Sequence, residues 1–322
     1  MKDQAAGRLL ILIAAVMWST SGFFAKAPWF ADWPLQAQGL PVRGPLLAFW
    51  RVVFASLVLL PLVRRPRWTP KLLFLLVAYA AMNYTYLNAM TLTTAANAIW
   101  LQNTAPAWVF LIGVFVFREP LHPRDLWLLA CCAAGVALIL WFEIGGQSPQ
   151  GVVFGLLSGL AYAGIVLSLR QLRGEDGAWL LFLSNVTTAA VFLPFVLHCD
   201  LWPTGTQTAC LAGFGIFQMG LPYLLFARGV RRITGHEAAG IALVEPILVP
   251  IWVWIAWRHA ASYQAPQWWT LVGGGMILLG LALRYLGGKP APKLRLDSLQ
   301  DQAQGDRARV PARSGTADGS GA

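Results

Sequence analysis

GHEAAGIALVEPILVPIWVWIAWRH, residues 235–259, is a long apolar run with a carboxylate and a proline, Glu245-Pro246, near its middle. A charged carboxylate at the centre of a bilayer costs roughly 3 kcal/mol on insertion scales. A proline there removes a backbone donor and disturbs the helix. The run therefore calls for a polar cavity beside it. Moving back 140 positions gives AANAIWLQNTAPAWVFLIGVFVFRE, residues 95–119. In that register Thr94 meets Thr234, Ala98 meets Ala238, Pro106 meets Pro246, Val109 meets Val249 and Arg118 meets Arg258. Gln102 and Asn103 supply polarity a turn before Pro106. The molecule reads as two copies of one unit, each with a proline-broken helix.

Composition agrees with a chain embedded in lipid. Hydrophobic residues make up 57% of the 322 and charged residues only 12%, against about 25% charge in soluble domains. With about 20 apolar residues per crossing, the region before residue 287 has room for ten helices. The net charge of +10 lies in short loops between apolar runs, the pattern of membrane orientation rather than of a nucleic-acid footprint. Cys131 and Cys132 sit in one apolar run and read as packing residues. Cys199 and Cys210 flank a loop and are placed to pair in an oxidising compartment. No metal-ligand spacing appears, and no cofactor is expected.

The first run, Leu9 to Phe24, has a basic start and an Ala25-Lys26-Ala27 ending, features shared with a cleavable leader. Its Trp18 and Ser19-Thr20-Ser21 suit a packed helix better, so it is read as an uncleaved first crossing. Further helices are expected at about Pro45–Val63, Lys71–Met90, Ala95–Phe117 and Asp125–Phe142. Ala130, Ala133, Ala134 and Gly135 in the last of these favour close helix contact. A turn-rich break at 145–149 separates this repeat, residues 1–144, from a second at 150–286. There the helices fall at about Gly151–Leu169, Trp179–His198, Thr208–Ala227, the opening stretch, and Trp268–Tyr285. Residues 287–322 are Pro, Ser, Gly, Gln and charge without apolar periodicity, and read as a disordered cytoplasmic tail.

With the N-terminus inside, 20 of the 24 Lys and Arg face in. Only Lys26, Arg43, Arg51 and Arg258 face out, so both termini are expected in the cytoplasm. Each half holds an odd number of helices, so the second copy enters the membrane from the opposite side. The fold expected is all-α: ten transmembrane helices as two inverted five-helix repeats, a construction used by secondary transporters.

Several residues carry a resemblance through both halves. They are Trp18 and Gly22 before Lys26, Phe49-Trp50-Arg51, Ala105-Pro106, Phe117-Arg118-Glu119-Pro120, Gly135-Val136-Ala137-Leu138, Gly220-Leu221-Pro222-Tyr223, Glu245-Pro246-Ile247 and Gly275-Met276-Ile277-Leu278. The chain resembles the drug/metabolite transporter superfamily, specifically tandem EamA-type transporters with ten helices. The resemblance implies export or exchange of amino acids, other small metabolites or drugs. One departure is Arg258-His259, where the second repeat of the family usually ends in a glycine-glutamate pair.

The expected solute site gathers the polar and aromatic residues of the crossings: Trp18, Asn83, Tyr84, Trp100, Asn103, Tyr162, Gln218, Tyr223 and Glu245. Pro106 and Pro246 are the expected helix breaks and gating points. Asn83 lies a turn from Tyr79 and Tyr86 on one face of its helix, and Trp18 and Tyr162 hold matching places in the two halves. Glu245 has two readings, a structural carboxylate paired across helices or a proton carrier, with Ala238, Ala242 and Val249 on its face. Each amide has the plain alternative of an interhelical hydrogen bond, worth about 0.6–2 kcal/mol. Trp29, Trp33, Trp68, Trp202, Trp257 and Trp268 read as interfacial anchors.

Together these readings predict a secondary transporter of a bacterial inner membrane. It would move a small neutral or zwitterionic metabolite, amino acids above others and outward, by alternating access. The nucleotide-binding pattern G-x-x-x-x-G-K-[ST] is absent, leaving a gradient or exchange as the energy source. Expected partners are the small-molecule substrate and membrane lipids, with no nucleic acid, in a monomer or homodimer. The competing class is an integral-membrane enzyme acting on lipid or a small molecule. A single intramembrane carboxylate, with no catalytic constellation beside it, argues for the carrier.

Overall fold

In lipid each apolar run must satisfy its own backbone hydrogen bonds, and the helix is the way a single segment can do so. The computed structural model describes residues 2–118, 123–143, 145 and 148–286, and all ten expected helices appear there. The first crossing is α1 (Lys2–Ser19) continued by α2 (Ser21–Ala25). A two-stranded hairpin follows, β1 (Gln36–Ala37) with β2 (Leu40–Pro41), which the sequence reading did not anticipate. Its turn, Gln38-Gly39, has φ of 50° and 77°, the left-handed pair a tight hairpin requires. The second crossing is α3 (Arg43–Leu59) and the third α4 (Lys71–Leu92). The fourth is divided into α5 (Ala95–Gln102) and α6 (Ala105–Phe115), and the fifth is α7 (Pro123–Glu143).

The second half repeats the plan with α8 (Pro149–Gln171) and α9 (Gly177–Cys199). Its eighth crossing runs from α10 (Gly205–Gly213) through a π-helical segment, Phe214–Gly220, into α11 (Leu221–Gly229). The ninth is α12 (Gly235–Ala242) and α13 (Val244–Trp257), and the tenth α14 (Trp268–Tyr285). Among the described residues nine crossings are long and apolar enough to span a membrane. The tenth has 18 residues, with hydropathy lowered by Arg284, four glycines and two tryptophans. Most helices extend one to three residues beyond the expected ends. The expectation for the tail at 287–322 lies outside the described residues, as do parts of the turn at 145–149 and of Phe117–Pro120.

The packing is that of two inverted copies. The third crossing packs on the sixth (α4 on α8), and its image, the eighth on the first, pairs α11 with α1. The fourth lies on the sixth (α5 on α8) as the ninth lies on the first (α13 on α1). The second and seventh (α3, α9), fourth and ninth (α5, α13), and fifth and tenth (α7, α14) pair with each other. Each contact is reproduced when the halves exchange. Five helices per half make the relating axis lie in the membrane plane.

The α7–α14 contact shows how close these pairs come. A Cβ on Gly135 would lie 2.4 Å from the Gly273 carbonyl oxygen, and one on Gly273 would lie 2.7 Å from the Gly135 oxygen. Backbone faces backbone, so no side-chain rotation relieves the clash. Gly135→Leu is expected to destabilise by about 3 kcal/mol or more, lowering the melting temperature in detergent by several degrees. An unchanged melting temperature would contradict the close approach.

Near their helix ends, Arg8 pairs with Glu237 and Arg284 with Asp125. Asp176 caps α9 and also accepts from the Arg64 and Arg65 backbone N–H groups. All four cysteines are free thiols, so Cys199 and Cys210 are not paired here.

Candidate functional site

Both broken helices are built alike. Thr94 caps α5 by accepting from the Asn97 N–H at 3.2 Å, and Thr234 caps α12 by accepting from Glu237 at the same distance. Each first half-helix ends after eight residues. Pro106 and Pro246 then stand in the first turn of the next, where a missing N–H is tolerated. Neither proline kinks an intact helix; each opens a new one. Glu245 consequently lies in the first turn of α13, where free N–H groups and the helix dipole favour negative charge. The interruption also resets the helical face. Ala238 and Val249 are buried, and Val249 packs against Gly22, so neither lines a cavity beside Glu245 as the uninterrupted spacing implied.

Around Glu245 the crossings deliver a cluster of aromatic hydroxyls. Tyr86, Tyr162 and Tyr223 all lie within its electrostatic reach. Tyr79, Asn83 and Tyr86 form one stripe of α4 at i, i+4 and i+7. Tyr86 shares a 2.8 Å hydrogen bond with Ser21, and Tyr79 donates to Asn185 at 3.3 Å. Tyr79 and Tyr223 lie within electrostatic reach of each other. Trp18 meets Tyr223 edge to face at 5.2 Å, and Gln218 donates to the Trp18 carbonyl at 3.1 Å. Tyr162 is 41% exposed although three other titratable side chains surround it.

Of the expected site residues, the fold brings Trp18, Asn83, Tyr162, Gln218, Tyr223 and Glu245 together. Tyr84 points the other way, packed against Phe154 and Phe192. Asn103 donates to the Ile99 carbonyl at 2.8 Å and closes the end of α5. Trp100 stands beside the cluster, its indole N–H donating to the Pro246 carbonyl at 2.9 Å and its ring against Gly274. It thereby ties the two broken helices together.

The chief residue missed from sequence is Arg51. Counted there among the outer loop charges, it is 3% exposed in α3. Eight residues inside the start of α3, it lies about 12 Å from that end of the helix. It donates to Asn83 Oδ1 and stacks on the Phe214 ring at 5.0 Å. A charge inside an apolar run was the available signal. Glu143 is a second correction. The sequence points to one intramembrane carboxylate, but Glu143 at the C-terminal end of α7 is also buried, accepting from Asn97 at 3.1 Å and Trp269 at 3.2 Å. Among the described residues no cluster has the makings of a metal site.

At one end of the bundle α2 packs against α13 and forms a seal. Phe23 and Trp257 stack at 5.1 Å, and the Trp257 indole donates to the Phe23 carbonyl at 2.8 Å. Trp252 donates to Ser19 at 2.8 Å, and Lys26 to the Thr93 carbonyl at 2.6 Å. A cleft of about 10 Å³ remains, lined by Lys26, Trp257 and Tyr263 among others. Trp257 is thus part of a seal rather than a lipid anchor, and Trp33 is buried against Phe30. Trp29, Trp68, Trp202 and Trp268 remain exposed.

Burial pushes the Lys26 ammonium down to about 8, with Arg43 adding to the effect. An unfolded lysine titrates near 10.4, so the folded protein loses this proton first and gains stability as pH rises from about 8 to about 10. The wild type is expected to gain a few degrees of melting temperature over that interval relative to Lys26→Met. An identical pH response in both would refute it.

The comparisons with known proteins agree with this architecture. The EamA-like transporter family model matches the chain twice, at residues 5–141 and 149–286. An uncharacterised transporter of Archaeoglobus fulgidus is 24% identical over 291 residues, covering 87% of this chain and 96% of the relative. The pseudopaline exporter CntI of Pseudomonas aeruginosa is 25% identical over 248 residues, covering 72% and 83%. One crystal structure aligns with a TM-score of 0.60 at 16% identity, covering 89% of this chain and all of the other, which speaks to the fold alone. With two copies of the family's unit across its crossings, the chain belongs to the EamA-like transporter family of the drug/metabolite transporter superfamily, and its function is membrane transport.

Proposed function

We propose that the protein is an exporter of small zwitterionic metabolites, amino acids or close relatives, working by alternating access across a bacterial inner membrane with both termini in the cytoplasm. The observation that carries this reading is the meeting of Glu245, at the start of α13, with hydroxyls from the third, sixth and eighth crossings. A half-helix start, a carboxylate and neutral polar walls near mid-depth suit a solute bearing an ammonium group and its counter-charge. Inverted repeats supply the motion, because the inward-open and outward-open forms are near images of each other. In this reading the Phe23–Trp257 stack closes the outer side of the present conformation. The relative named as an exporter supports the outward direction, and a solute or proton gradient, or exchange, supplies the energy.

The test is flux from proteoliposomes loaded with the twenty common amino acids and read by mass spectrometry. Gradient-dependent appearance of one or more unmodified amino acids outside is expected. Chemically altered products, or no flux above empty vesicles, would sink the reading.

A further inference from the structure

Arg51 is a cation in the membrane interior without a matching anion. Its Nη2 donates to the Asn83 amide oxygen, its Nε–H has no partner, and the described residues place no carboxylate at ion-pair distance. Its other neighbours are rings, Phe214 at 5.0 Å and Tyr86 at 6.0 Å. A guanidinium is held in lipid at a cost that neutral partners only partly offset. The fold positions it with care. The π-helical segment brings Gly215 so near that a Cβ there would lie 2.5 Å from the Arg51 carbonyl oxygen. That approach puts the Phe214 ring under the guanidinium, while Asn83 fixes one edge of the fork.

The remaining neighbours tie Arg51 to the solute site. Tyr86 and Tyr223 lie within electrostatic reach of both Arg51 and Glu245. One charge comes from the first repeat and the other from the second, across a shared group of tyrosines. We infer that Arg51 is the seat of the substrate's carboxylate, with the orphan edge of its fork offered to the two oxygens, while Glu245 faces the ammonium group. Planar bidentate recognition of carboxylate is what an arginine fork is suited to, and a lysine there would not reproduce it. This inference rests on the carrier reading and narrows its substrates to compounds with a free carboxylate. The simpler role, a brace between α3 and α4 through Asn83, predicts no such selectivity.

The experiment uses full-length protein in proteoliposomes loaded with the twenty common amino acids and their carboxyl amides, for the wild type, Arg51→Lys, Arg51→Gln and Asn83→Asp. Wild-type flux is expected for the acids and to be at least about tenfold lower for the matching amides. Arg51→Lys and Arg51→Gln should each lose at least about tenfold in acid flux. Asn83→Asp keeps the α3–α4 brace but gives Arg51 a permanent counterion. It should melt no lower than the wild type and still lose acid flux to a similar degree. Equal flux of acids and amides by the wild type, or wild-type acid flux in folded Asn83→Asp, would overturn the inference while leaving the carrier intact. No flux of any compound by the wild type would instead remove the carrier reading on which the inference stands.

Discussion

Glu245→Gln is expected to lower solute flux by at least about tenfold and to change its pH dependence, with little effect on thermal stability. Glutamine keeps the shape and hydrogen-bonding reach of the side chain and removes only its charge. A hydrogen bond to a charged group contributes about 1.5–3 kcal/mol, which converts to roughly a 10- to 150-fold change in binding. Stability should hold because, among the described residues, no hydrogen bond locks the Glu245 carboxylate into the packing; its surroundings are hydroxyls and the open start of α13. Flux measured across a range of pH in both proteins decides the matter. Wild-type rate and pH profile in the variant would remove Glu245 from both solute binding and proton coupling.

The second large effect is expected at Trp100, in two graded steps. Trp100→Phe keeps a ring against Gly274 but deletes the N–H that reaches the Pro246 carbonyl. The loss of a buried partner costs about 1–3 kcal/mol. Because that bond joins α5 to α13, the two half-helices whose relative motion alternating access requires, the loss should also appear as a shift between inward-open and outward-open populations. Trp100→Ala removes the ring as well and should cost about 3–5 kcal/mol of stability. Melting temperature in detergent ranks the variants, and spin-label distances across the outer seal follow the populations. Equal stability of all three proteins would mean that the link between the broken helices carries no energy.

The fold was largely legible because its strongest signals are local. Ten apolar runs and the repeated register that matches Thr94 with Thr234 and Pro106 with Pro246 survive in the structure, and with them the inverted pairing of the halves. The site was only partly legible because it depends on which face of each helix meets another. Tyr84 and Tyr86 are two positions apart, yet one packs on α8 and α9 while the other reaches Ser21 and Glu245. Composition gives no preference between them. The π-helical segment was invisible for a related reason: Phe214–Gly220 reads as ordinary helix, and its wider turn accompanies the fit of Gly215 against α3. Arg51 failed differently, since counting charges by loop assigns every arginine to a surface. Depth within its apolar run was the better guide.

The inverted duplication is tested most directly by labelling from one side of the membrane. Single cysteines replace Arg118 and Ser262, both exposed and each just beyond a broken-helix crossing, in a background with the four native cysteines removed. A membrane-impermeant thiol reagent applied outside is predicted to modify the cysteine at 262 and to reach the one at 118 only after the membrane is opened. Modification of both from the same side would give the repeats one orientation and leave no two-faced carrier to explain.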